Sequence, residues 1–196
     1  MTDQQKTQIT GIVLSGGKSR RMGKEKGLCH FRGKALISYA IDTLKPLCSR
    51  LIISANNKPD EYQLYGFPVI SDEISETGPI GGLYSCLKQS QSVINLVISC
   101  DTPFVTTEVY QELLNYIGEY QAVVPIHEDG FLEPITAVYH RSCLPVILQQ
   151  IEKGEYKMMD LLASLNTKFV SFDTNLVDSK PSLFHNLNSP EDLLSC

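Results

Sequence analysis

The sequence predicts an α/β protein with a mostly parallel sheet covered by helices on both faces. Three observations predict it. Short apolar runs alternate with longer segments of helical spacing along the whole chain. The run VINLVISC, residues 93–100, is too continuous to leave one face in water, as expected of a strand buried on both sides. No repeat, low-complexity tract or linker interrupts the chain, so its 196 residues, 42% of them apolar, suit one domain, 1–196, with its own core.

The elements follow in order. GIVLSG, residues 11–16, reads as a buried strand. In ALISYAIDTLKPL, Leu36, Ile37, Ala40, Ile41 and Leu44 fall on one helical face, and Pro46 ends the helix. RLIISA and FPVIS are two further strands, and GPIGGLYSCLKQS starts a helix at Pro79. After VINLVISC, Thr106 or Thr107 caps a helix whose buried face carries Val109, Leu113, Tyr116 and Ile117. QAVVPI and ITAVYH read as strands, 142–152 and 156–165 as helices, and KFVSF as a strand. A last helix begins at SPEDLL, with Ser189 as its cap and Pro190 in its first turn.

Composition narrows the function. A net charge of −5 argues against a surface built for nucleic acid or a membrane, and no apolar run approaches a membrane span. The first ten residues, MTDQQKTQIT, lack the apolar centre of a signal peptide. The six cysteines include no C-x-x-C pair, so a cytoplasmic protein with reduced, mostly buried thiols is expected. Against that acidic background, Lys18, Arg20, Arg21, Lys24 and Lys26 stand together directly after Gly16-Gly17. Glycines let backbone N–H groups approach an anion, and the cations that follow can surround a triphosphate. The same stretch also fits a glycine turn followed by a solvated basic loop. It matches neither G-x-x-x-x-G-K-[ST] nor the G-x-G-x-x-G of a dinucleotide-binding oxidoreductase.

Ligands in open α/β sheets bind beyond the carboxyl ends of the strands. Asp72 ends VISD and Asp101 follows LVISC, so both stand at that edge. Each is a candidate hard oxygen ligand for Mg²⁺, which takes only one or two protein carboxylates, and each also fits an aspartate that caps a turn. His30, His127, His140 and His185 occur in unrelated contexts and read as surface or packing residues.

LSGGKSRRMGKEK resembles the L-x-G-G-x-S-x-R-M-G-x-x-K signature of nucleotidyltransferases, matched at Leu14, Gly16, Gly17, Ser19, Arg21, Met22, Gly23 and Lys26. With RGKALISYAIDTL, VISDE, GPIGGLYSCL, SCDTPFV, EPITAVYHR and NLNSPEDL, the chain is similar over nearly its whole length to the molybdenum cofactor guanylyltransferases. That resemblance implies a Rossmann-like three-layer α/β/α sandwich whose mixed sheet has one antiparallel strand. It implies transfer of GMP from GTP to molybdenum–molybdopterin. It places Leu14, Ser15, Gly16 and Gly17 on the nucleotide through their backbone, Arg21 and Lys26 on phosphates, Asp72 on the guanosine, and Asp101 on Mg²⁺. Family members often carry Asn where this chain has Ser54; Asn56 is the candidate to take over that contact. Ala35 replaces a proline of the pattern, at a cost in local rigidity. Asn188, with Asn186 as second candidate, is placed to face the metal or the acceptor phosphate. Glu133-Pro134 would shape the acceptor loop, and Arg141 and Lys157 are weaker candidates for the pterin's anions. Cofactor-insertion proteins and molybdoenzyme chaperones are the partners such a product implies. Two alternatives stand beside this reading: a cytidylyltransferase acting on the same pterin or on a sugar or polyol phosphate, and a nucleotide-binding regulator without catalysis.

Overall fold

The computed structural model describes residues 8–16, 25–127, 129–172 and 182–195. Gly17, Lys18, Ser19, Arg20, Arg21, Met22, Gly23 and Lys24, the middle of the signature, lie outside the described residues.

Alternation of apolar side chains along each strand supplies both faces of the sheet. In β1 (Ile9–Leu14), Val13 joins one core while Ile12 and Leu14 join the other. The same alternation holds in β4 (Arg50–Ser54), where Leu51 and Ile53 oppose Ile52, and in β6 (Ile94–Ser99), where Leu96 and Ile98 oppose Val97. Side chains of α1 (Leu36–Leu44), α2 (Pro59–Gln63) and α4 (Thr107–Leu114) fill the first core. Those of α3 (Pro79–Gln89), α5 (Leu144–Glu152) and α6 (Met158–Ser164) fill the second. These are the three layers that the sequence resemblance implies.

The sheet has seven strands in the order β5-β4-β1-β6-β8-β7-β9, with β5 at Val69–Ile70, β7 at Ala122–Ile126, β8 at Ala137–His140 and β9 at Thr167–Ser171. Only β8 runs against its neighbours, pairing Val97 with Ala137 and Val123 with Val138. The ends of β1, β4, β5, β6 and β7 and the start of β8 therefore share one edge, where Asp72 and Asp101 also lie.

Two elements were not expected. His30–Phe31 (β2) and Lys34–Ala35 (β3) form a hairpin. Its turn, Arg32-Gly33, has φ of 50° and 81°, and the positive angle at both central residues matches the twist of a hairpin. Helix α2 follows Lys58, itself left-handed at φ 49°, and carries Asp60 and Glu61 in its first turn, where a helix favours acids. The last helix, α7 (Pro190–Ser195), starts as expected: Ser189 Oγ accepts from Asp192 N at 3.2 Å and Asp192 Oδ2 accepts from Ser189 N at 2.8 Å. Thr106 precedes α4, but its side chain makes no capping bond there.

Cys86, Cys100 and Cys143 are buried, and burial pushes each thiol up to about 12, which leaves them as packing groups at neutral pH. No described helix is long and apolar enough to cross a membrane.

Candidate active site

The edge shared by β1, β4, β5 and β6 opens into a cavity of about 560 Å³, lined by Leu14, Gly16, Ser54, Asn56, Asp72 and Gly82 among others. Backbone bonds fix its floor: Ser15 N donates to Ser54 O at 2.9 Å, and Cys100 N donates to Leu14 O at 3.0 Å. Asp72 is held from two sides. Its carboxylate accepts from Asn56 Nδ2 at 2.8 Å, while its own N–H donates to Asn56 Oδ1 at 2.8 Å. Ser54 Oγ reaches Asp72 Oδ1 only at the 3.5 Å limit, so Asn56 is the principal partner.

Helix α3 approaches this cluster through glycines. A Cβ on Gly82 would stand 2.7 Å from Ser54 Oγ and 3.3 Å from Asp72 Oδ1, and one on Gly81 would meet Thr77 Oγ1 at 2.0 Å. The helix start thus comes close to Asp72 only because these positions have no side chain.

The second cluster forms around Lys26. Its Nζ donates to Asp101 Oδ2 at 2.5 Å and to Asn188 Oδ1 at 2.6 Å. Lys26 and Asp101 are each 15% exposed, so the ion pair keeps contact with solvent at the cavity's edge. Ser99 Oγ donates to Asp101 Oδ1. The turn after β6 is closed instead by Thr102, whose hydroxyl donates to Ser99 O at 3.0 Å. Asp101 therefore does not spend its carboxylate as a turn cap. Leu187 N donates to Asp101 O at 2.9 Å, which brings the segment carrying Asn188 onto the end of β6.

Predicted site residues separated by 162 positions in the chain thus meet at one ammonium group. Leu14, Ser15, Gly16, Ser54, Asn56 and Asp72 gather on the cavity side, and Lys26, Asp101 and Asn188 beside them. Asn186 is not in this group; its Nδ2 turns back to Phe184 O at 3.4 Å. Arg141 lies at the opposite edge, where its N–H bonds to Val93 O at 2.8 Å just before β6 begins. Lys157 is exposed ahead of α6.

Sequence reasoning missed three features: the hydroxyl of Ser99, the burial of Glu133 against His127, where the sequence marked Glu133 only as shaping the acceptor loop, and Tyr62. Ser99 is signalled only by a hydroxyl two residues before the strand-end aspartate. Glu133 is 4% exposed, and burial first, then the charge of Asp101, raise its carboxyl to about 7. His127, read from the sequence as surface or packing, places Nε2 3.1 Å from Glu133 Oε1 and stacks on Phe184 at 5.0 Å. Their alignment is not that of a hydrogen bond: His127 Nε2 and Thr136 Oγ1 are buried without a hydrogen-bond partner among the described residues. Tyr62 is the third. Its hydroxyl sits under the site, 2.7 Å from Ser15 Oγ.

A glycine-floored cavity at the carboxyl edge of a mostly parallel sheet, flanked by a lysine–aspartate pair, is the arrangement of a nucleotidyltransferase domain. The family model described as a MobA-like NTP transferase domain matches residues 11–168, and the chain belongs to that family. The chain is 32% identical over 191 residues to the molybdenum cofactor guanylyltransferase of Vibrio campbellii, covering 96% of this chain and 95% of that protein. It is 34% identical over 191 residues to that of Aliivibrio fischeri, with the same coverage of 96% and 95%. The crystal structure of molybdopterin-guanine dinucleotide biosynthesis protein A from Archaeoglobus fulgidus superposes with a TM-score of 0.77 at 26% identity, covering 94% of this chain and 95% of the other.

Proposed function

We propose that this protein transfers GMP from GTP to the terminal phosphate of molybdenum–molybdopterin, giving the guanine dinucleotide cofactor and pyrophosphate. The observation that carries the reading is the convergence of Lys26, Asp101 and Asn188 beside the cavity of Leu14, Gly16 and Asp72. Relatives over nearly the full length carry the guanylyltransferase name, which supports the choice of nucleotide and acceptor.

In this reaction an oxygen of the acceptor phosphate attacks the α-phosphorus. The bond to the bridging oxygen breaks, and pyrophosphate leaves with the electron pair. Both reactants are anions, so positioning and charge neutralisation supply most of the catalysis. A phosphate nucleophile is already deprotonated at neutral pH and needs no general base. Gly16 and the backbone beside it approach the triphosphate, and Asp72, oriented by Asn56, accepts hydrogen bonds from the nucleoside. Lys26 neutralises charge that builds on the leaving group, and Arg21, in the same signature, is assigned the same role by the sequence resemblance.

The donors present fit Mg²⁺: one carboxylate, Asp101, and one amide oxygen, Asn188, both hard oxygen ligands, with the rest of the shell left to phosphates and water. Bound there, Mg²⁺ would supply Lewis-acid polarisation and a template for the triphosphate. Lys26 would then be free of Asp101 and Asn188 to contact phosphate. The reading carries a cytoplasmic location and handover of the product to cofactor-insertion proteins or molybdoenzyme chaperones.

The test is pyrophosphate release on mixing the protein with GTP, Mg²⁺ and molybdenum-loaded molybdopterin, with CTP in a parallel arm and chelator in a third. Release with GTP, at least tenfold faster than with CTP, and its loss in chelator support the reading. Preference for CTP would make the enzyme a cytidylyltransferase. Tight nucleotide binding with no release would make it a regulator.

A further inference from the structure

We infer that Tyr62 is a positioning residue for triphosphate binding: its hydroxyl ties the chain where it leaves β1, at Ser15, to the chain where it returns, at Glu25 and Gly27, and so sets where Lys26 stands relative to the glycine floor. Ser15 Oγ donates to Tyr62 OH at 2.7 Å, and Tyr62 OH faces Glu25 Oε2 at the 3.5 Å limit of a hydrogen bond, so Ser15 is its principal partner. A hydroxyl has one proton to give and lone pairs to receive, so both bonds can exist together without conflict. Gly27 completes the junction: a Cβ there would fall 2.1 Å from Ser15 Oγ and 2.8 Å from Tyr62 OH. Three stretches of chain therefore meet at one oxygen with no spare room.

The residues on either side of this junction are those that face the ligand. Gly16, next to Ser15, lines the cavity. Lys26, between Glu25 and Gly27, reaches Asp101 and Asn188. Tyr62 is fully buried, with its ring in the core under β1 and β4, so the oxygen that holds the junction is anchored to the sheet's own packing. Burial also drives the phenol well above its ordinary range, so it stays protonated and serves as a hydrogen-bonding group, not as an acid or base. The cost of a small misplacement at such a site is large, since a shift of about 1 Å away from reacting geometry can cost on the order of a hundredfold.

The inference rests on the cavity being a nucleoside triphosphate site, and the experiment separates the two. Dissociation constants for GTP and GMP, and for CTP and CMP, are measured by calorimetry with Mg²⁺ for the wild type, Tyr62→Phe and Glu25→Ala, with thermal midpoints alongside. Wild type binding either triphosphate well above its monophosphate establishes the site, whichever base it prefers. Tyr62→Phe, which removes one oxygen and keeps the ring, is then expected to weaken the triphosphate about tenfold, the scale of one lost hydrogen bond, and to leave the monophosphate within twofold. Glu25→Ala, at a half-exposed position, shifts the same ratio in the same direction by a smaller factor. If Tyr62→Phe lowers the thermal midpoint but leaves the triphosphate-to-monophosphate ratio unchanged, or weakens both ligands equally, Tyr62 is a packing residue and the inference falls. If wild type binds no nucleotide, the triphosphate site and the positioning role fall together.

Discussion

The two sides of the ligand edge are finished to different degrees. On the side of β1, β4 and β5, polar groups are paired: Asp72 has Asn56 on both its carboxylate and its N–H, and Ser15 has Tyr62. On the side of β7 and β8, Glu133 is buried with its carboxyl raised to about 7, and His127 Nε2 and Thr136 Oγ1 have no hydrogen-bond partner among the described residues. A site whose hydrogen bonds are already made meets its ligand with little rearrangement, whereas buried polar groups without partners carry a cost until something pairs them. The first side has the character of a preformed pocket, as the proposed nucleotide site requires. The second has that of a surface whose polar groups await a partner, which suits the proposed acceptor.

Four substitutions probe this contrast, beginning where the sides meet. Asp101→Ala is expected to lower single-turnover pyrophosphate release by at least about 10²–10³-fold while circular dichroism shows an intact fold. A near-normal rate at saturating Mg²⁺ would remove Asp101 from the metal. Gly82→Ala adds a Cβ 2.7 Å from Ser54 Oγ and pushes on the preformed side. It is expected to raise the KM for GTP about ten- to a hundredfold, and an unchanged KM would mean that the pocket yields easily.

Glu133→Gln tests the unfinished side through pH. The folded protein holds the Glu133 proton up to about 7 against an ordinary 4.5, so the stability tied to the protonated form is complete below about 4.5 and is lost as pH rises to about 7. The glutamine variant should therefore gain on wild type across that window, by about 1–2 kcal/mol once solvent screening is allowed for, and hold the gain above it. Urea denaturation at pH 4.5, 6 and 8 measures this; a constant difference would show that Glu133 does not titrate there. Asn56→Ala has the smallest expected effect. It frees Asp72 to rotate and should weaken GTP about fivefold with kcat unchanged, as for one lost hydrogen bond.

The fold was legible because its signals are local. Alternating or continuous apolar runs located the seven strands of the main sheet, helical spacing located α1 and α4, and Pro79 marked the start of α3. Where signals were weak, elements were missed. Helix α2, at five residues, is too short to show a period, and the hairpin turn at Arg32-Gly33 lacks the Asn-Gly pair that marks such turns. The candidate site divided in the same way. Strand ends gave Asp72 and Asp101, and the signature gave Lys26. Tyr62 and the His127–Glu133 pair are defined by contacts across 47 positions or across a loop, and no local pattern announces them.

The reversed strand β8 has one further consequence. Because β7 ends and β8 begins at the same edge, the connection returns to the sheet where it left it, tied back to β7 by the bridge between Ile126 and Leu132. Such an excursion can be lengthened, shortened or rewritten while every strand keeps its register. A lineage could in this way change what receives the nucleotide and leave the nucleotide's own berth untouched.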